Sequence, residues 1–301
     1  MERLVPREHF VQTNDHLKQT SRRLTRHIDE LAIKIGVRST HVEGSLSKTY
    51  DYIEREWTLQ GFKTVRKPFT TESGSGVNLE VEIKGTEFPE EIVILGAHDD
   101  SVLGSPGAND NASGVAALLE ISRSFIGLKP KRTVRFVAFA NEEPPFFDTE
   151  AMGSYIYASD ARLKDEKIIG MISLDEIGYY SDSQDGNFIA FVGNEDSSDL
   201  IAQAAEAFRR NANFPVQELV VPDDGITNFA VFPHALEQTG YSDHSPFWGQ
   251  GFRAFMVTDT AMFRYPHYHK ESDTPGEIHY PSLTLVTAGL TDVMKYLSLS
   301  A

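Results

Sequence analysis

Four short apolar runs set the strongest constraint on what this chain can fold into: 91–97 (EIVILGA), 133–140 (TVRFVAFA), 167–174 (KIIGMISL) and 251–258 (GFRAFMVT). Each is strand-length and lacks the polar alternation of a half-exposed strand, which suits strands covered on both faces. Helical patterns separate them at 112–125, 149–163, 198–211 and 282–297. Further strands are predicted at 77–84 (VNLEVEIK), where a period of two is followed by a turn at Gly85, and at 187–192 and 216–221. Strands alternating with helices predict an α/β protein: three layers, α/β/α, around a mixed, largely parallel central sheet.

The opening third reads as helix, helix, then strands. In the segment 45–61, Leu46, Tyr50, Ile53 and Trp57 form one apolar stripe at helical spacing, and Gly61 ends it. A helical segment at about 15–61 is therefore expected to belong to the core. No linker, repeat or biased tail interrupts the 301 residues, so one catalytic domain spanning 1–301 is expected.

A formal charge of −16 argues against a nucleic-acid partner, because phosphate binding needs a basic surface. No apolar run approaches the roughly 20 residues of a membrane span. The amino terminus, MERLVPREHF, has no apolar centre and does not read as a secretory signal. The chain as it stands is expected to be cytoplasmic, or secreted or periplasmic if a signal has been removed. With no cysteine, any metal site must use imidazole and carboxylate ligands, which suit zinc, cobalt or manganese.

In open α/β sheets ligands collect past the carboxyl ends of the strands. Here EIVILGA runs into His98-Asp99-Asp100, TVRFVAFA into Asn141-Glu142-Glu143, and KIIGMISL into Asp175-Glu176. GFRAFMVT runs into Asp259 and a loop holding His267 and His269. One carboxylate at a strand end is commonplace as a cap or turn residue. Four metal-capable ends in a chain with ten histidines point to a metal centre.

These residues lie in motifs that resemble the di-zinc aminopeptidases, a family of bacterial leucyl aminopeptidase type with glutamate carboxypeptidase-like and glutaminyl cyclase-like relatives. The motifs are GAHDDS (96–101), GANDNASG (107–114), ANEE (140–143), SLDEIGYY (173–180), SDHSPF (242–247) and HKESDTP (269–275). The resemblance implies a zinc-exopeptidase-like fold and two divalent ions, by default Zn2+. It implies that Asp110 bridges them, that His98 and Asp175 complete one site, and that Glu143 and His269 complete the other. Glu142 would be the general base. A shared carboxylate is physically apt, since two like cations a few ångströms apart repel. Adjacent glutamates could divide ligation and base duty if the strand persisted, because neighbouring side chains would diverge. Asp100, two residues after His98, could accept the proton of the imidazole nitrogen that faces away from the metal. His267 and His269 would share a face on a strand, and the KESDTP continuation matches the family with His269 as the ligand.

Around this centre, Tyr241 is a candidate donor to the developing oxyanion, a role a neighbouring loop residue or the metal could also fill. Asp243 and His244 match a family feature near the substrate pocket, with a structural hydrogen bond the alternative for His244. The stretch Pro144-Pro145-Phe146-Phe147 is longer than in shorter members. It reads as a rigid loop or as a pocket wall offered by Phe146 and Phe147.

The leading expectation is an aminopeptidase acting on a peptide or small amide. A glutaminyl cyclase-like acyltransferase is the alternative, although those relatives keep one zinc and lose ligands of the other site, whereas His98 and Asp175 are both present. A carboxypeptidase or other amidase could use the same scaffold. A metal-free binding domain would lack a ligand or the base, and none is missing.

Overall fold

The computed structural model describes residues 14–181, 187–221 and 242–300. Helix α1 (Asn14–Ile28) runs on through a wider turn (Asp29–Ile35) and is followed by α2 (Ser45–Leu59). Strands β1 (Val65–Thr70), β2 (Ser75–Ile83) and β3 (Phe88–His98) lead to α3 (Gly114–Arg123), β4 (Arg132–Phe139), α4 (Gly153–Leu163) and β5 (Lys167–Leu174). Then come β6 (Ile189–Asn194), α5 (Ser198–Asn211), β7 (Val216–Val221), α6 (Ser245–Gly249), β8 (Ala254–Thr258), α7 (Ala261–Arg264) and α8 (Tyr280–Leu299).

The strands form one sheet in the order β1-β2-β4-β3-β5-β8-β6-β7. The central four, β4, β3, β5 and β8, are mutually parallel. β2 is antiparallel to β1 and β4, and β6 to β8, while β6 and β7 pair in parallel, so the sheet is mixed. The four runs that end in metal-capable residues are thus neighbours with their carboxyl ends at one edge.

Along β3, Val93, Leu95 and Ala97 face a core shared with α1, α2, α3, α5 and α8. Ile92 and Ile94 face a second core under Tyr157, Ala158 and Phe247 of α4 and α6. Helices therefore cover both faces, which is why these strands read as unbroken apolar runs. The α2 stripe packs as its spacing predicts, with Ile53 and Trp57 fully buried and Trp57 Nε1 donating to Ser122 Oγ at 3.0 Å. Among the described residues no helix is long and apolar enough to cross a membrane.

Element ends differ in detail from the sequence reading. β3 starts at Phe88, β8 at Ala254 and α4 at Gly153, and β1 adds an edge strand whose alternating exposure hid it in a charged segment. Residues 265–274 form turns rather than a strand, so alternation does not govern His267 and His269. Likewise β4 ends at Phe139 and Asn141 has φ 60°, so the divergence of Glu142 from Glu143 comes from a turn.

Candidate metal centre

Two side-chain triads meet at the carboxyl edge of the central strands. His98, Asp110 and Asp175 offer ligand atoms within 4.8 Å of one another, and so do Asp110, Glu143 and His269. Asp110 belongs to both. Its Oδ1 lies 3.3 Å from His98 Nε2 and its Oδ2 lies 3.1 Å from His269 Nε2. Nε2 of His98 is also 3.3 Å from Asp175 Oδ1. Glu143 Oε2 is 3.4 Å from His269 Nε2, while its Oε1 accepts the amide of Val102 at 2.9 Å.

Each ligand is set by its element. His98 is the last residue of β3 and Asp175 the first after β5, so the sheet register brings them together. Asp110 sits in a loop held from several sides. Asp273 accepts the amides of Asn109 and Asp110 at 2.8 and 3.2 Å, and Asn109 Nδ2 donates to Asp259 at 3.0 Å. Asn111 Nδ2 donates to Leu174 O at 2.7 Å, and Asn111 Oδ1 accepts the amide of Gly114 at 3.0 Å. A Cβ on Gly114 would lie 2.3 Å from that oxygen, so this close approach requires glycine. The Asp110–Asn111 peptide is cis.

Glu142 lies beside the triads but in neither. It is buried, and its Oε2 approaches His98 Nε2 only to 3.9 Å. Asp100 accepts the amides of Glu142 and Glu143 through its two oxygens, at 3.1 Å each, and lies 3.4 Å from His98 Nδ1. His267 turns away: Nδ1 pairs with Ser272 Oγ at 2.9 Å and Nε2 is 3.2 Å from Glu277. Asp259, at the end of β8, holds Asn109 and the amide of Tyr179 and joins neither triad.

The predicted pocket residues divide. Asp243 and His244 are fully buried at the start of α6, where His244 meets Trp248 edge-on at 4.5 Å. Phe147 lines a cavity of about 390 Å³ with Met152, Tyr155, Ser242 and Pro246. Phe146 packs instead on the β1–β2 turn, where a Cβ at Gly74 would lie 2.5 Å from its ring. Tyr241 lies outside the described residues. Tyr268, which sequence reasoning passed over, stacks on His269 at 3.8 Å.

The crowd of buried carboxyls suits cations. Asp99, Asp100, Asp110, Glu142, Glu143, Asp175, Glu176, Asp243, Asp259 and Asp273 are all buried. Burial, with neighbouring carboxylates, pushes Glu142, Glu143, Glu176 and Asp99 well above the usual carboxylate range, and raises Asp243 and Asp259 to about 7. Burial also opposes the charge on Asp110, but His269 and His98 outweigh it and hold that carboxyl below its ordinary value. Burial likewise disfavours the His98 imidazolium, yet the charges of Glu142 and Asp175 raise its pKa well above normal. Buried charge of one sign is stable only when compensated. Imidazole and carboxylate donors in two groups with one shared member suit a pair of divalent ions such as zinc.

The fold and this cluster define the class: an α/β/α metallohydrolase with a dinuclear metal centre. The chain belongs to peptidase family M28, whose profile matches residues 78–294, and it is accordingly a zinc-dependent metallopeptidase. It is 29% identical over 304 residues to protein YfbL of Escherichia coli, covering 93% of this chain and 87% of that one. It is 28% identical over 211 residues to leupeptin-inactivating enzyme 1 of Streptomyces exfoliatus, covering 69% of this chain but only 45% of that protein. A zinc aminopeptidase from Bacillus subtilis shares the fold with a TM-score of 0.76 at 15% identity, over 93% of this chain and 95% of that one. A glutaminyl cyclase from Fimbriiglobus ruber does so with a TM-score of 0.70 at 20% identity, over 91% and 94%.

Proposed function

We propose that the chain is an aminopeptidase that hydrolyses the first peptide bond of a substrate with a free amino end. His98 and Asp175 would hold one ion, Glu143 and His269 the other, and Asp110 would offer an oxygen to each. The observation that carries the reading is the division of Asp110, one oxygen to each triad, with a buried glutamate beside them that belongs to neither. When bound, two divalent ions supply Lewis acidity that acidifies the attacking water and polarises the scissile carbonyl. Glu142 takes the proton of that water and delivers it to the leaving amine. Such proton transfer is typically worth about 10²–10⁴-fold in rate. Tyr241 is the proposed donor to the oxyanion, and Asp243, His244 and Phe147 border the substrate.

The choice of the amino end follows from charge. A carboxypeptidase needs a cation to receive the substrate carboxylate. Among the described residues, Arg38, Arg264 and Lys270 lie on the turns and loops around the site and donate to backbone carbonyls, while Arg132, Arg135 and Lys167 of β4 and β5 pair with glutamates. The segment 222–241 contains no lysine or arginine. Surplus buried carboxylate, Glu176 above all, instead suits an ammonium group. Retention of both triads favours hydrolysis over the cyclase-type reaction.

The test compares aminoacyl, N-acetylated and C-terminal reporter peptides on zinc-loaded protein, with Glu142→Gln alongside. Free-amine substrates should be cleaved, and the variant should keep its zinc while losing at least about 100-fold in kcat. Cleavage of N-blocked substrates alone would overturn the choice of end, and an active Glu142→Gln would remove the base.

A further inference from the structure

Arg38 follows the N-terminal helices, far in sequence from every metal motif, and its side chain is fully buried. It forms no salt bridge among the described residues. Its guanidinium ends on backbone carbonyls: Nε on Asp99 O at 2.9 Å, Nη2 on Gly107 O at 2.9 Å and Nη1 on Pro106 O at 2.7 Å. Nη1 also reaches Leu31 O and Gly36 O at 3.4 Å. The main chain is tied too, its amide donating to Ser101 Oγ at 3.0 Å and its carbonyl accepting from Ser101 N at 2.9 Å.

The three closest carbonyls, those of Asp99, Pro106 and Gly107, belong to two turns. Asp99 lies between His98 and Asp100, and Gly107 opens the loop that presents Asp110. The fit is close: Gly107 has φ +61°, and a Cβ there would lie 2.8 Å from Nη2. An arginine cannot shed its proton and is costly to bury without compensating charge. Burial disfavours its charge, and Asp273, Asp100, Asp99 and Asp110 around it oppose that effect, so the cation sits within the carboxylate crowd without occupying a ligand oxygen. Only a rigid planar fork reaches carbonyls on two separate turns at once; an ammonium cannot span them.

We propose that Arg38 is a positioning residue of the metal centre. It fixes the separation between the turn bearing His98 and the loop bearing Asp110, and so sets how tightly the more weakly bound of the two ions, the second to load, is held. The inference rests on the dinuclear reading above.

The test uses the full chain with Arg38→Lys, which keeps the charge and loses the fork. Leu31→Ala serves as control, opening a cavity in the same segment while leaving the Leu31 carbonyl that Arg38 meets in place. Zinc affinities come from competition with a chromophoric chelator, and ligand geometry from the visible spectrum of the cobalt(II)-substituted protein. Arg38→Lys should bind the second zinc at least about tenfold more weakly than the parent and shift the cobalt bands, while Leu31→Ala lowers the melting temperature and leaves both unchanged. Parent-like affinity and spectrum in Arg38→Lys, or equal weakening in Leu31→Ala, would overturn the proposal. If Arg38→Lys does not fold, Ser101→Ala removes the hydroxyl that accepts the Arg38 amide and donates to Ser105 O, leaving the bond from Ser101 N to Arg38 O in place. It should weaken the second ion several-fold, and parent affinity there counts against Arg38. A parent chain that binds fewer than two ions overturns the dinuclear reading instead.

Discussion

Asp100 Oδ1 lies 3.4 Å from Nδ1 of His98, on the side of the ring opposite the nitrogen that faces Asp110 and Asp175. The same carboxylate anchors the amides of Glu142 and Glu143. One side chain therefore orients a proposed ligand of the first ion, a ligand of the second and the base. Asp100→Ala should reduce zinc affinity by roughly 10–100-fold, the usual effect of losing a partner behind a metal ligand. Isothermal titration checks this, and an unchanged affinity would show that the contact is incidental.

How far this centre is legible in the sequence depends on the kind of constraint. His98, Asp175 and the Glu142–Glu143 pair are readable because a buried parallel strand delivers the next residue to a known edge. Asp100 is readable because it is local to His98. Arg38, Asn109, Asn111 and Asp273 are not, because their partners lie on other segments and are often backbone groups that leave no pattern in side-chain types. Asn109 and Asn111 flank Asp110 in GANDNASG, yet only the fold shows that they grip Asp259, Leu174 and Gly178. The edge strand β1 escaped for a related reason: it is short, polar and half-exposed.

A pH dependence of stability is expected from a site remote from the metal centre. His27 is fully buried between Tyr52 Oη at 2.5 Å and Glu120 Oε1 at 3.2 Å. Burial lowers its pKa, so the ring is neutral at pH 7, accepting from Tyr52 and donating to Glu120. The unfolded chain, with an ordinary pKa of about 6.5, then takes up a proton more readily than the folded one. Stability is full above that value and falls as pH drops below it, by at most about 1.4 kcal/mol per pH unit from this group. The melting temperature of the parent should therefore fall more steeply between pH 7 and 5 than that of His27→Gln. Parallel curves would show that His27 does not titrate on unfolding.

We propose that residues 1–301 form one domain. Leu24, Ile28, Leu31, Ile53 and Trp57 share a core with α3 and α8, and α3 begins where the Asp110 loop ends. Trp57→Ala should cost roughly 3–5 kcal/mol, as large core truncations do. A chain lacking residues 1–61 should lose its cooperative thermal transition. A truncated chain that still melts cooperatively and binds zinc would make the N-terminal helices an accessory layer.

The sharing of Asp110 makes the two proposed sites separable by stoichiometry. Asp175 contacts only the His98 triad and Glu143 only the His269 triad, whereas Asp110 contributes an oxygen to each. Asp175→Ala and Glu143→Ala should therefore each retain about one zinc per chain, with the remaining ligands still able to hold a single ion. Asp110→Ala should fall below either, because both ions lose a donor and the charge that screens them from one another goes with it. Elemental analysis after exhaustive dialysis against a buffered zinc concentration reads these numbers directly. Were Asp110→Ala to keep about one zinc while Asp175→Ala lost both, His98 and Asp175 would carry the dominant ion and the bridge would be secondary.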